Sequence, residues 1–277
     1  MIMNQRMYGL GSKRSVIREI FEFGKKRAAE VGAENVYDFS LGNPSVKPPQ
    51  IVEDTLISLL KEEDATALHG YTSAQGDAGV RAAIADYIRK THGVECDADY
   101  IYMTCGAAAS LTITLSALCN EGDEVITFAP YFTEYKVFAE TAGARLVALA
   151  SDPDTFQIDF SLLESALNEK TAAVLVNSPN NPSGVVYSEA TIQKLAALLE
   201  QKSAEYKKTI YLITDEPYRE LVYGGVKVPY LTKYYRNTFV CYSYSKSLSL
   251  PGERIGYIFV NPSAENAKQL YLAVCGA

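Results

Sequence analysis

Ser243-Tyr-Ser-Lys-Ser-Leu-Ser-Leu-Pro-Gly-Glu-Arg-Ile-Gly256 places one lysine, Lys246, just beyond an apolar run at 239–242, and one arginine, Arg254, just before a second run at 255–260. Short apolar runs of this kind read as buried strands, so the lysine stands at a strand end. A lysine amine is nucleophilic only when neutral, and a pocket beside cations lowers its proton affinity enough for Schiff-base chemistry with an aldehyde. Ser243, Ser245 and Arg254 supply hydrogen-bond donors for an anion, most simply a phosphate. The stretch points to a phosphate-bearing aldehyde cofactor. For the stretch alone, a solvated loop lysine and a surface-paired arginine are the alternative.

Working outward, further short apolar runs lie at 100–104, 124–128, 145–149, 172–176, 210–214 and 238–242, and they alternate largely with helical stretches. That rhythm predicts an α/β fold, a mostly parallel sheet sandwiched by helices. Ligands of such sheets gather at the carboxyl ends of the strands. Upstream, residues 13–31 carry Val16, Ile17, Ile20, Phe21, Ala28 and Val31 at helical spacing, with Gly32 as a stop. A short strand is expected at 36–40, followed by the loop Leu41-Gly42-Asn43-Pro44. Helices are expected at 49–62 and 77–91, separated by a loop that contains Tyr71, and a buried helix at 106–119. Residues 264–274 read as a last helix. The expected organisation is an N-terminal arm with part of a smaller domain over 1–45, a large domain over 46–260, and the start of an incomplete C-terminal part of the smaller domain over 261–277.

Composition narrows the function. The formal charge of −7 over 277 residues leaves no basic footprint for nucleic acid. Only two histidines are present, His69 and His92, neither in a metal-ligand spacing, so no zinc site and no serine–histidine triad is expected. The five cysteines form no Cys-x-x-Cys pair, which fits a reducing cytoplasm. Residues 1–11 hold no apolar signal core, and the run at 106–119 is too short to span a bilayer.

Four more stretches fall at the ends of expected strands. Met103-Thr104-Cys105-Gly106-Ala107-Ala108 leads from a strand into a helix through a glycine, which presents free amides and a helix N-terminus to an anion. Phe132, in Pro130-Tyr131-Phe132, is placed to lie on a planar ring. Asn177-Ser-Pro-Asn-Asn-Pro-Ser-Gly184 offers side-chain amides to a phenolic oxygen. Asp215, in Asp215-Glu-Pro-Tyr218, is placed to keep a ring nitrogen protonated. Taken singly, these read equally as a packing turn, a core aromatic, turn chemistry and a helix cap.

Taken in order, the segments resemble the class I/II aminotransferases that use pyridoxal 5'-phosphate, the aspartate-aminotransferase-like enzymes of fold type I. By that resemblance Lys246 is the lysine that binds the cofactor aldehyde and moves the substrate proton. Asp215 partners the ring nitrogen, Asn181 and Tyr218 donate to the phenolic oxygen, and Phe132 stacks on the ring. Gly106, the Ala107 and Ala108 amides, Ser243, Ser245 and Arg254 form the phosphate cup. Tyr71 reaches the phosphate from a partner subunit, which implies a homodimer. Gly42 and Asn181 lie by the substrate carboxylate. The implied reaction exchanges an amino group between an amino acid and a 2-oxo acid. Family members continue past this point with an arginine that clamps the substrate carboxylate, so the expectation is that the chain is a fragment or else that its substrate is held differently. Other chemistries of the same cofactor, such as β-elimination, cyclopropane-forming lysis or decarboxylation, use the same residues, and a non-catalytic regulatory module keeps them as well.

Overall fold

A computed structural model describes residues 3–12, 16–40 and 42–277. The start of the expected first helix, 13–15, and Leu41 of the expected loop lie outside the described residues. The chain forms two compact units, Met1–Val46 and Lys47–Ala277.

The first unit contains α1 (Gln5–Ser12) and α2 (Val16–Val31). The strand expected at 36–40 is not formed: these residues are extended or bent without a ladder, and Tyr37 and Phe39 are 82% and 93% exposed. Alternating apolar residues become a strand only when a neighbour takes up their backbone groups, and no segment among the described residues pairs with these.

The second unit opens with α3 (Gln50–Glu62), α4 (Ala65–Leu68) and α5 (Ala78–His92). Asp77 caps α5 by accepting from the Val80 amide, and Gly93 ends it in the left-handed conformation. Then follow β1 (Ile101–Thr104), α6 (Ala107–Leu118), β2 (Glu124–Ala129), α7 (Tyr135–Thr141), β3 (Arg145–Ala150), α8 (Phe160–Ala166) and β4 (Thr171–Asn177). The unit closes with α9 (Glu189–Tyr206), β5 (Tyr211–Asp215), β6 (Thr238–Ser243), α10 (Tyr244–Ser247), β7 (Gly256–Val260) and α11 (Ala267–Gly276).

The strands form one seven-stranded sheet of order β1-β7-β6-β5-β4-β2-β3. Pairings among β2 to β6 are parallel, while β7 runs antiparallel to both neighbours. A parallel return needs a long crossover, and the 244–255 connection carries only the single helical turn of α10.

The central strand β4 is buried along its whole length, and its side chains alternate between two cores. Val174 and Val176 pack under Leu163 of α8 and Ile192, Leu195 and Leu199 of α9. Ala173 and Leu175 meet Leu111 and Leu115 of α6 and Tyr135 of α7. Each fully buried leucine or isoleucine here contributes about 1.5–3 kcal/mol relative to exposure. The C-terminal helix α11 seats Val274 against Phe239, Ile258 and Val260, and the Tyr271 hydroxyl donates to the Ile101 carbonyl at 3.0 Å. Among the described residues no helix is long and apolar enough to cross a membrane.

Candidate active site

The parallel register sets Asn177 opposite Asp215, and Asp215 opposite Cys241, so the loops after β4, β5 and β6 leave the sheet at one edge. Asp215 ends β5 and is 5% exposed. Its Oδ2 accepts from the Tyr135 hydroxyl at 2.5 Å. Its Oδ1 is buried and has no hydrogen-bond partner among the described residues. Burial pushes the carboxyl up to about 7, against the Tyr135 hydrogen bond, which lowers it, and with the Glu216 charge, which raises it further. A buried carboxylate oxygen without a donor is costly in a finished protein, and its usual resolution is a cation or donor from a ligand.

Asn177 ties this edge together. Its Nδ2 donates to the Asp215 carbonyl at 2.8 Å, and its Oδ1 accepts from the Asn181 amide at 2.7 Å. Asn181 in turn faces the Tyr218 hydroxyl, whose pKa is raised chiefly by burial and then by the Asp215 charge, with the Asn181 hydrogen bond opposing.

The second focus is the turn before α6. Gly106 is the N-cap of α6 at φ 93°, a conformation that favours glycine. A Cβ there would lie 3.0 Å from Nη2 of Arg254. The arginine is held over the turn by donating from Nη2 to the Cys105 carbonyl at 3.2 Å and from Nη1 to the Pro251 carbonyl at 3.1 Å. The first amides of α6, on Ala107 and Ala108, have no intrahelical partner by helix geometry. On β6 and α10 the Ser243 and Ser245 hydroxyls are 2.6 Å apart, and the Ser245 amide donates to Ser243 Oγ at 3.1 Å. Gly256 lets β7 pass close to this turn, since a Cβ there would come within 2.8 Å of the Gly106 Cα. Amides at a helix start, two hydroxyls and a guanidinium make a donor set for a phosphate dianion.

Lys246 lies in α10, one turn beyond the end of β6, and is half-buried. Burial lowers its pKa from the ordinary lysine value and so enlarges the neutral, nucleophilic fraction. Phe132 is half-buried, and its ring meets the Tyr135 ring edge-on at 5.6 Å.

Lys246, Asp215, Tyr218, Asn181, Phe132, Gly106, Ala107, Ala108, Ser243, Ser245 and Arg254 thus all lie in the strand ends, loops and short helix starts of the second unit. Tyr71 is fully exposed on the loop between α4 and α5. Gly42 belongs to the first unit. Two residues of this edge escaped the sequence reading. Asn177 was legible as turn chemistry or as one of several amides in its run, whereas its bond to the Asp215 carbonyl depends on the register. Tyr135 opens α7 three residues after Phe132, and its bond to Asp215 leaves no local signal in the sequence. Among the described residues no cluster of histidine, cysteine and carboxylate side chains is arranged to hold a metal ion.

Residues 33–274 match the family model described as aminotransferase class I and II. The chain is 29% identical over 256 residues to an aspartate aminotransferase of Pyrococcus horikoshii, covering 91% of this chain and 60% of that one. It is 30% identical to a probable aspartate/prephenate aminotransferase of Aquifex aeolicus, covering 84% and 58%. The crystal structure of an amino transferase from Eubacterium rectale superposes with a TM-score of 0.97 at 62% identity, over 100% of this chain and 70% of that chain. The chain spans about three fifths of the length of the curated relatives it matches. With the anion turn, the lysine and the buried carboxylate all carried on the strand ends of this sheet, the chain belongs to the class I and II aminotransferase family.

Proposed function

We propose that the protein transfers an amino group between an amino acid and a 2-oxo acid with pyridoxal 5'-phosphate as cofactor. The observation that carries the reading is the buried, donorless Oδ1 of Asp215 at the strand-end edge, which a protonated ring nitrogen would satisfy. When bound, the cofactor supplies an electron sink for the negative charge left as a substrate Cα proton departs. Asp215 holds the ring nitrogen protonated, and its fixed Oδ2 leaves the other oxygen for that contact. Asn181 and Tyr218 donate to the phenolic oxygen, and Phe132 covers one ring face. Gly106, the Ala107 and Ala108 amides, Ser243, Ser245 and Arg254 hold the phosphate. Lys246 anchors the aldehyde carbon and moves the proton at the substrate Cα.

The family resemblance adds Gly42 beside the substrate carboxylate and Tyr71 donated across a homodimer, and both stay part of this proposal. A cytoplasmic location is part of it too, supported by free thiols at Cys96, Cys105, Cys119, Cys241 and Cys275.

The full-length protein, loaded with pyridoxal phosphate and offered pairs of amino acids and 2-oxo acids, is expected to form the new amino acid only when an acceptor is present. Ammonia or 2-oxo acid released without an acceptor would replace this reading with a lyase. For the phosphate turn, Gly106→Ala is expected to raise the cofactor Kd about tenfold. A non-glycine residue at this positive φ costs on the order of 1–3 kcal/mol, and the added methyl also presses on Arg254. A spectroscopic titration of the variant measures this, and an unchanged Kd removes the turn from the phosphate site.

A further inference from the structure

We infer that Tyr135 is a positioning residue for both groups that flank the cofactor ring, its hydroxyl holding Asp215 and its ring backing Phe132. The inference rests on the function proposed above. Tyr135 is the first residue of α7 and is 1% exposed, packed with Leu111, Leu115 and Ile213 beneath the sheet edge. Its hydroxyl is the donor to Asp215 Oδ2 at 2.5 Å, so the carboxylate cannot rotate about its side-chain bonds without breaking that bond. Its ring takes Phe132 edge-on at 5.6 Å and 80°, while Tyr131 lies nearly parallel to it at 6.3 Å. One buried side chain therefore links the nitrogen anchor on β5 to the stacking aromatic before α7.

The other ionisable groups around the carboxylate do not take over this role. Tyr218, after β5, and Cys241, on β6, both have pKa values raised chiefly by burial, so both are neutral near pH 7. Glu216, the chain neighbour, is ion-paired with Arg219. Tyr135 itself stays protonated, since burial and then the Asp215 charge push its hydroxyl well above the ordinary value. Its hydrogen bond opposes the effect of burial on Asp215 and favours the ionised form, although burial remains the larger effect.

The test titrates pyridoxal phosphate spectroscopically into the cofactor-free full-length protein and its Y135F and Y135L variants from pH 5 to pH 9, with borohydride trapping of the lysine adduct. Y135F removes only the hydroxyl. It is expected to raise the Kd about tenfold at neutral pH and to move the acid limb of the binding profile to higher pH, because Asp215 then protonates more easily. Y135L also removes the ring behind Phe132 and is expected to weaken binding further. Unfolding temperatures of the unliganded proteins report any purely structural effect. A Y135F protein with the parent's Kd and acid limb, whether or not its unfolding temperature falls, overturns the inference, and because Y135F is the smaller change it decides even if Y135L does not fold. Failure of the parent protein itself to bind the cofactor would instead overturn the proposed function.

Discussion

Lys246→Ala is expected to abolish the borohydride-trappable adduct with pyridoxal phosphate and to lower amino transfer by about 10²–10⁴-fold or more, the range lost with one positioned proton-transfer group. The lysine has two tasks, bonding the aldehyde carbon and carrying the substrate proton, and alanine can do neither. The fold is expected to survive. Lys246 is only half-buried within a single helical turn, and alanine is at least as good a helix former. Mass spectrometry of the reduced protein reads the adduct and thermal unfolding reads the fold. An adduct persisting on a different lysine would reassign the site.

Asp215→Asn is the second large effect, and it separates electrostatics from shape. Asparagine keeps the side-chain size but removes the negative charge that favours a protonated ring, so turnover is expected to fall by at least about 100-fold, the scale of losing one preorganised charge contact. The Lys246 adduct is expected to remain. The same substitution has a signature in the cofactor-free protein. The folded-state pKa of Asp215, about 7, lies above its ordinary 3.8, so the folded form keeps a proton that the unfolded chain releases. Its contribution is fully present below pH 3.8 and is lost as pH rises through about 7. A shift of this size corresponds to at most about 4 kcal/mol. Unfolding of the unliganded parent is therefore expected to become easier between pH 4 and 7, and D215N is expected to flatten that slope. Equal pH dependence in the two proteins would mean that Asp215 does not titrate as a buried acid. A rate unchanged by D215N would remove it from the mechanism.

The strands were legible because burial on both faces leaves a mark in one dimension. The run 172–176 is apolar without interruption, as the middle of a covered sheet demands, and it became β4 within one residue at each end. Caps such as Asp77 and stops such as Gly93 are equally local, since they act on amides and carbonyls a few residues away. The expected strand at 36–40 failed for the opposite reason. Its pattern was right, but a ladder needs a partner, and Tyr37 and Phe39 are left exposed.

The sequence by itself determined which residue types stand at each strand end: Gly106 before a helix, Asn181 and Asp215 after apolar runs, and Lys246 among hydroxyls. Tertiary structure alone decided which of these ends are neighbours. The order β1-β7-β6-β5-β4-β2-β3 and the register of β4 on β5 put Asn177 on the Asp215 carbonyl, and the packing of α7 puts the Tyr135 hydroxyl on its carboxylate. Hydrophobic periodicity acts within a turn or a strand, whereas a bond between residues 135 and 215 exists only once the intervening sheet has closed around both.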